Sequence, residues 1–217
     1  MKHFFFFIVF VLLSFKSWAQ INELGLFVGG TNYIGDIGPT TYIAPNEVAV
    51  GILYKWNKSP RHAYRFSLYH GNISSKDSDS NVPSRNLRDF RFKNSITELS
   101  AGLEFNFLDF DLHDNKFKFT PYVFSGLSYF IYNENFISNK RAYLDYRHSQ
   151  FALPIIMGMK ARLFDNFIIG AEVGFRYAFT DNLDGSNPIN DNFENWRFGN
   201  LNSKDWYVFS GFTLTYT

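Results

Sequence analysis

Two acid pairs and one histidine–serine neighbour are the residues of this chain whose types and spacing could do chemistry. Asp77 with Asp79, or Asp181 with Asp184, would supply the two carboxylates that general acid–base work needs. In RHSQF, His148 stands beside Ser149, a pairing from which a hydroxyl nucleophile could be activated. DSDSN (77–81) and DNLDGSNPINDN (181–192) are rich in the oxygen ligands calcium takes, yet neither has the EF-hand spacing with its closing glutamate. No set assembles from these parts. The sequence places no histidine beside either acid pair, and adjacent residues of a strand point to opposite faces, so His148 and Ser149 should diverge. The expectation is a protein with no catalytic centre, cofactor or metal, its acid pairs lying in solvated polar loops.

The elements that would carry these residues announce themselves by parity. In NSITELSAGLEFNF (94–107), Thr97, Leu99, Ala101, Leu103, Phe105 and Phe107 fall on one side. Glu98, Ser100, Gly102, Glu104 and Asn106 fall on the other. That period of two is a β-strand with one apolar and one charged face. Seven more segments behave as strands: 23–34, 47–56, 64–71, 119–132, 151–164, 169–179 and 206–216, although 119–132 is apolar on both faces and 206–216 is less pure. Most are long enough to cross a bilayer at a tilt. The connections are lopsided: about 8, 20, 17 and 23 residues (roughly 35–42, 74–93, 133–149 and 181–203) alternate with the short turns NKSPRH, DFDLHDNK and DN. Long loops at one end and short turns at the other are the pattern of an outer-membrane barrel, with the short turns in the periplasm.

The polar face decides between that barrel and a soluble one. It carries Glu23, Glu47, Glu98, Glu104 and Glu172 against Lys55, Arg65, Lys160, Arg162 and Arg176, and many glycines besides. Charges on a wet surface have no need to balance, whereas enclosed ones must pair. Glycine suits a crowded interior better than a solvated strand. The expected fold is therefore all-β: an eight-stranded antiparallel up-and-down transmembrane barrel of the outer-membrane kind, with a filled, salt-bridged interior. Trp56, Tyr64, Tyr132 and Trp206, near strand ends, would form the interfacial girdles.

The chain of 217 residues suits one such domain, 20–217, behind a secretory signal at 1–19. MKHFFFFIVFVLLSFKSWAQ has a short polar start, an apolar core and small residues before Ala19, where cleavage is expected. A membrane-anchoring helix is the weaker reading, because the apolar run is only about half of the ~20 residues needed to span. With no cysteine, neither a disulfide nor a lipid-bearing cysteine can form. The net charge of +1 gives no global argument for nucleic acid. In SRNLRDFRFK, Arg85, Arg88, Arg91 and Lys93 lie beside Phe90 and Phe92, at a height where the outer leaflet presents phosphates; lipopolysaccharide contact is expected there.

ELGLFVGGTNYIGDI, LYKWNKSPRHAYRFSLYHG, RNLRDFRFKNSITELSAGLEFNFL, FTPYVFSGLSYF, LPIIMGMKARL and GFRYAFTDNLDG together resemble the PorG-like outer-membrane barrel family of the Bacteroidota. The most specific stretches are NYIGD, the arginine-to-EFNF block and FTDNLDG. The resemblance implies a non-enzymatic component of the type IX secretion system, which in some species supports gliding. It also implies a periplasmic ring partner built from a PorK-like lipoprotein and a PorN-like protein. A ring on that side could reach only the short turns and the termini, so contact is expected through Lys58, Arg61, His62, Asp109, Asp111, His113, Asp114 and Lys116. The alternative is a general surface barrel for adhesion or membrane integrity that acts through its outer loops.

Overall fold

The computed structural model describes residues 21–114, 117–164, 166–200 and 202–217; the leader expected at 1–19 and Lys116 lie outside the described residues. Eight antiparallel strands follow one another around a closed ring: β1 (Ile21–Ile34), β2 (Glu47–Ser59), β3 (His62–Lys76), β4 (Arg91–Asn106), β5 (Phe119–Ser138), β6 (Arg141–Phe164), β7 (Phe167–Ala178) and β8 (Trp206–Tyr216). The seam is a regular ladder in which Gly25 faces Thr215 and Ile34 faces Trp206. Closure leaves no edge strand, the condition for a sheet to cross a hydrocarbon layer.

Parity controls which way each residue faces. Leu24, Leu26, Val50, Ile52, Phe66, Leu68, Leu99, Leu103, Phe151 and Met157 lie on the exposed outer wall, while Phe27, Arg65, Tyr69, Glu98, Glu104, Phe124 and Arg176 are buried inside. In β5, whose residues show no clean alternation in sequence, Tyr122, Phe124, Phe130 and Tyr132 point in, and Leu127, Tyr129 and Ile131 point out. Its second apolar face packs the lumen. Inward glycines make room for the rings: a Cβ on Gly51 would strike Tyr69, and one on Gly158 would strike Tyr122.

Two expectations about the ends need correction. The stretch 133–149 is not a loop: β5 and β6 continue as a hairpin that stands beyond the barrel and turns at Asn139-Lys140. Both turn residues have positive φ, 46° and 66°, as a type I′ turn requires, and the sequence shows no glycine to signal it. Tyr132 is not in a girdle. It faces inward and meets Thr180 Oγ1 at 3.1 Å. Trp56 with Tyr64 (5.5 Å between ring centroids) and Trp206 with Tyr177 (5.1 Å) are outward pairs near strand ends.

Between β3 and β4 lies a short helix, α1 (Pro83–Arg88). It carries two of the loop's arginines inward. Arg88 sits between the rings of Phe90 (4.9 Å) and Phe198 (4.8 Å), its Nε is 2.7 Å from Asp77, and it donates to the Asp36 carbonyl. Arg85 donates to the Gly38 carbonyl at 2.6 Å. Three outer connections are thereby stapled into a cap.

Candidate functional site

The interior is layered along the barrel axis. At the short-turn end, Phe110, Leu112 and Ile168 make an apolar floor. Above it stands the densest charge cluster. Glu104 accepts from Lys55 Nζ (2.9 Å) and Lys160 Nζ (2.7 Å) and lies 3.5 Å from Arg65. Arg65 grips Glu172 with both terminal nitrogens, each at 2.8 Å, and the Tyr69 and Tyr122 hydroxyls complete that carboxylate's shell. The fork-to-fork pairing is the strong form of an ion pair, and the extra donors offset desolvation. One layer further out, Arg176 meets Glu98 at 3.3 Å, Tyr207 donates to the same carboxylate at 2.7 Å, and Phe209 lies 4.6 Å from the guanidinium.

Not every residue expected in this network joins it. Glu23 is buried directly opposite Lys55, at the edge of the network, but its hydrogen bonds come from the neutral donors Asn57 and Thr215. Arg162 is buried nearer the short turns, where one of its contacts is a 2.8 Å hydrogen bond to the Leu112 carbonyl that ties the floor down. Glu47 belongs elsewhere: it has the inward parity, but it starts β2 at the outer rim and pairs with Lys93 at 2.9 Å. Lys93 is thereby part of a rim pair. Arg85 and Arg88 are committed to the cap, so of the four cations expected to meet lipid, Arg91 and Lys93 stand on the outer wall.

The short turns pack on each other. Arg61 Nε lies 2.6 Å from Asp109, Phe110 N donates to the Pro60 carbonyl, and Asn106 N to that of Arg61. Between the turns is a cavity of about 140 Å³ lined by Lys58, Pro60, Asp111 and His113, among others. His62 stacks edge-on against Phe105, and Asp114 faces Lys118 at 3.3 Å. His113 N donates to Asp111, holding that carboxyl below its usual range.

At the outer end the structure brings together residues that sequence reasoning left apart. Asp181 and Asp184 are not in a solvated loop; both are buried, as are Asp36 and Asp205. NYIGD supplies Tyr33 and Asp36, and FTDNLDG supplies Asp181 and Asp184, so two distant stretches meet. Tyr33 donates to Asp205, Leu183 N donates to the same carboxylate, and Asn200 N donates to Asp36. Nothing local to either stretch signals the meeting, which depends on barrel closure. Burial, then repulsion from Asp36, pushes the Asp181 carboxyl up to about 6, and burial raises Asp184 and Asp205 as well.

These raised values set a pH dependence. The folded cap holds protons that an unfolded carboxyl, with a pKa of about 3.9, would release. The resulting stability is fully present below that value and is lost as pH rises through about 6. Amide exchange in 179–205, corrected for intrinsic rate, should be slower at pH 5 than at pH 8. Asp181→Asn should flatten the difference. Equal or greater protection at pH 8 would rule the linkage out.

The candidate pairs weighed for chemistry are held apart or engaged elsewhere. Asp77 is paired with Arg88 while Asp79 is exposed. His148 packs between Tyr132 and Tyr146, and Ser149 accepts from Tyr129 on the other face. Among the described residues, no three acidic or histidine side chains converge as metal ligands.

A closed eight-stranded ring with a charged lumen and an apolar outer wall defines an integral membrane barrel of the outer-membrane class. Within that class, the chain belongs to the family described as a domain of unknown function, DUF6089, which it matches over residues 2–217. Solved structures of similar shape include Ail of Yersinia pestis in complex with the heparin analogue sucrose octasulfate: 10% identity, 92% of this chain and 99% of that chain, TM-score 0.49. Neisserial surface protein A is similar at 9% identity, 90% and 96% coverage and a TM-score of 0.49. The N-terminal barrel domain of Pseudomonas aeruginosa OprF is similar at 14%, 91% and 98%, with 0.45. No curated protein matches the sequence.

Proposed function

We propose that the protein is a non-enzymatic outer-membrane component of the type IX secretion system, exported with cleavage near Ala19, that anchors a PorK/PorN-like periplasmic ring. The resemblance to PorG-like barrels motivates the reading. The observation that supports it best is the periplasmic cap: two short turns locked by the Arg61–Asp109 pair, with Lys58, Asp111 and His113 around one cavity. A pre-ordered polar surface lowers the entropic cost of docking a partner. Lys58→Glu, Arg61→Glu, Asp109→Lys and Asp111→Lys together should cut ring co-purification at least tenfold, about 1.4 kcal/mol. Barrel insertion, read by heat-modifiable migration, should be unchanged. Wild-type ring recovery would sink this interface.

A second reading is a surface barrel acting through its outer face. It is favoured by Tyr143 and Trp196, exposed around Phe136 on the β5–β6 hairpin. Shortening that hairpin to the barrel rim separates the two. An anchor keeps secretion working, whereas a surface binder loses its role.

A further inference from the structure

The outward face of β3 and β4 changes character with height. Leu68 opposite Leu99 is the last apolar pair; above it come His70 opposite Thr97, Asn72 opposite Ser95, Ser74 opposite Lys93 and Lys76 opposite Arg91. The β5–β6 hairpin bends over so that its tip pairs with the start of β4, setting Arg141 directly beside Arg91. Arg91 N donates to the Lys140 carbonyl there, at 3.1 Å. Lys76, Arg91 and Arg141 thus form one exposed row across three adjacent strand ends. Like charges directly opposite one another repel. Lys93 is paired with Glu47 and Lys140 with Asp89, but among the described residues none of the three cations in the row has an acidic partner.

We propose that this face binds one lipopolysaccharide molecule, with acyl chains against Leu68 and Leu99 and sugars along the hydroxyl and amide pairs. Its phosphates sit on Lys76, Arg91 and Arg141. The height of the ladder selects the ligand. At about 3.3 Å per residue and a strand tilt of about 40°, the six residues from Arg91 to Thr97 place the row ~20 Å along the strand and ~15 Å in height above the apolar boundary. A phospholipid carries its phosphate at that boundary, too low to reach the row. A glycolipid with phosphorylated core sugars spans the distance. Guanidinium forks suit phosphate oxygens in bidentate geometry. The proposal does not depend on the secretion reading, only on insertion in the outer membrane.

The test titrates the detergent-solubilised full barrel with lipopolysaccharide bearing a phosphorylated inner core. Parallel arms use the same glycolipid after dephosphorylation, phosphatidylglycerol and inorganic phosphate. At roughly fivefold per cation, Lys76→Ser, Arg91→Ser and Arg141→Ser together should weaken binding on the order of a hundredfold. Dephosphorylation should weaken wild type comparably, and neither phosphatidylglycerol nor free phosphate should compete. Arg91→Lys, which keeps the charge and loses the fork, serves as a milder variant should the triple change impair folding; it should bind measurably less tightly. Equal affinity of the folded triple variant, indifference to dephosphorylation, or equal competition by phosphatidylglycerol would each overturn the proposal.

Discussion

Glu104→Ala should destabilise the folded barrel by about 3–5 kcal/mol, the usual cost of removing one partner from a buried charge cluster. The carboxylate is fully buried and answers Lys55, Lys160 and Arg65. Without it, three cations face one another around the remaining Glu172, in a space walled by Tyr122, Phe124 and the Phe110 floor. Glu104→Gln should cost less, because the amide oxygen still accepts from one lysine. The more telling variant is compensatory. Adding Lys55→Met and Lys160→Met to Glu104→Ala leaves the bidentate Arg65–Glu172 pair, and leaves Glu23 on its neutral donors Asn57 and Thr215. Most of the lost stability should return, since uncharged residues of similar volume replace buried pairs with little penalty. Denaturant unfolding from bilayers, followed by tryptophan fluorescence, reads all of these. A loss below about 1 kcal/mol for Glu104→Ala would mean that water reaches the layer and that the lumen is not sealed.

How much of this was legible beforehand divides along physical lines. Alternation is a local property of the chain, so the strands, the closed all-β class and the inward direction of Glu98, Glu104, Lys55 and Arg65 could be read from parity. Partner choice inside the lumen is not local. Glu23 and Glu47 both have inward parity, yet one ends among amide and hydroxyl donors and the other at the rim with Lys93. Which of these happens depends on strand stagger, which composition does not carry. The basic loop misled for a related reason. Arg85 and Arg88 look like surface cations in isolation, but α1 turns them toward Gly38 and Asp77. The outer acid cluster and the Lys76–Arg91–Arg141 row were invisible as assemblies. Each needs segments far apart in the chain, and the hairpin tip that delivers Arg141 reads in sequence as a loop.

Leu103→Arg is the companion experiment on the other face of the same strand. Leu103 lies next to Glu104 but is 44% exposed on the outer wall, midway along the apolar run from Leu99 in β4 to Phe107 just past its end. In a bilayer an arginine there should cost about 2–4 kcal/mol, against about 0–1 kcal/mol for Ser95→Arg nearer the interface. A soluble barrel reverses this ranking: an outward leucine replaced by arginine would be neutral or would improve solubility. The two neighbouring positions also respond differently to the lipid. The penalty at Leu103 comes from the hydrocarbon, so thinning the bilayer with shorter acyl chains should reduce it. The penalty at Glu104 comes from the protein's own dry interior and should hold constant across bilayers. If Leu103→Arg costs no more than Ser95→Arg in a thick bilayer, the apolar wall does not face lipid. If instead both Leu103→Arg and Glu104→Ala ease as the bilayer thins, the lumen is not isolated from its surroundings, and the ion cluster cannot be what keeps the barrel rigid.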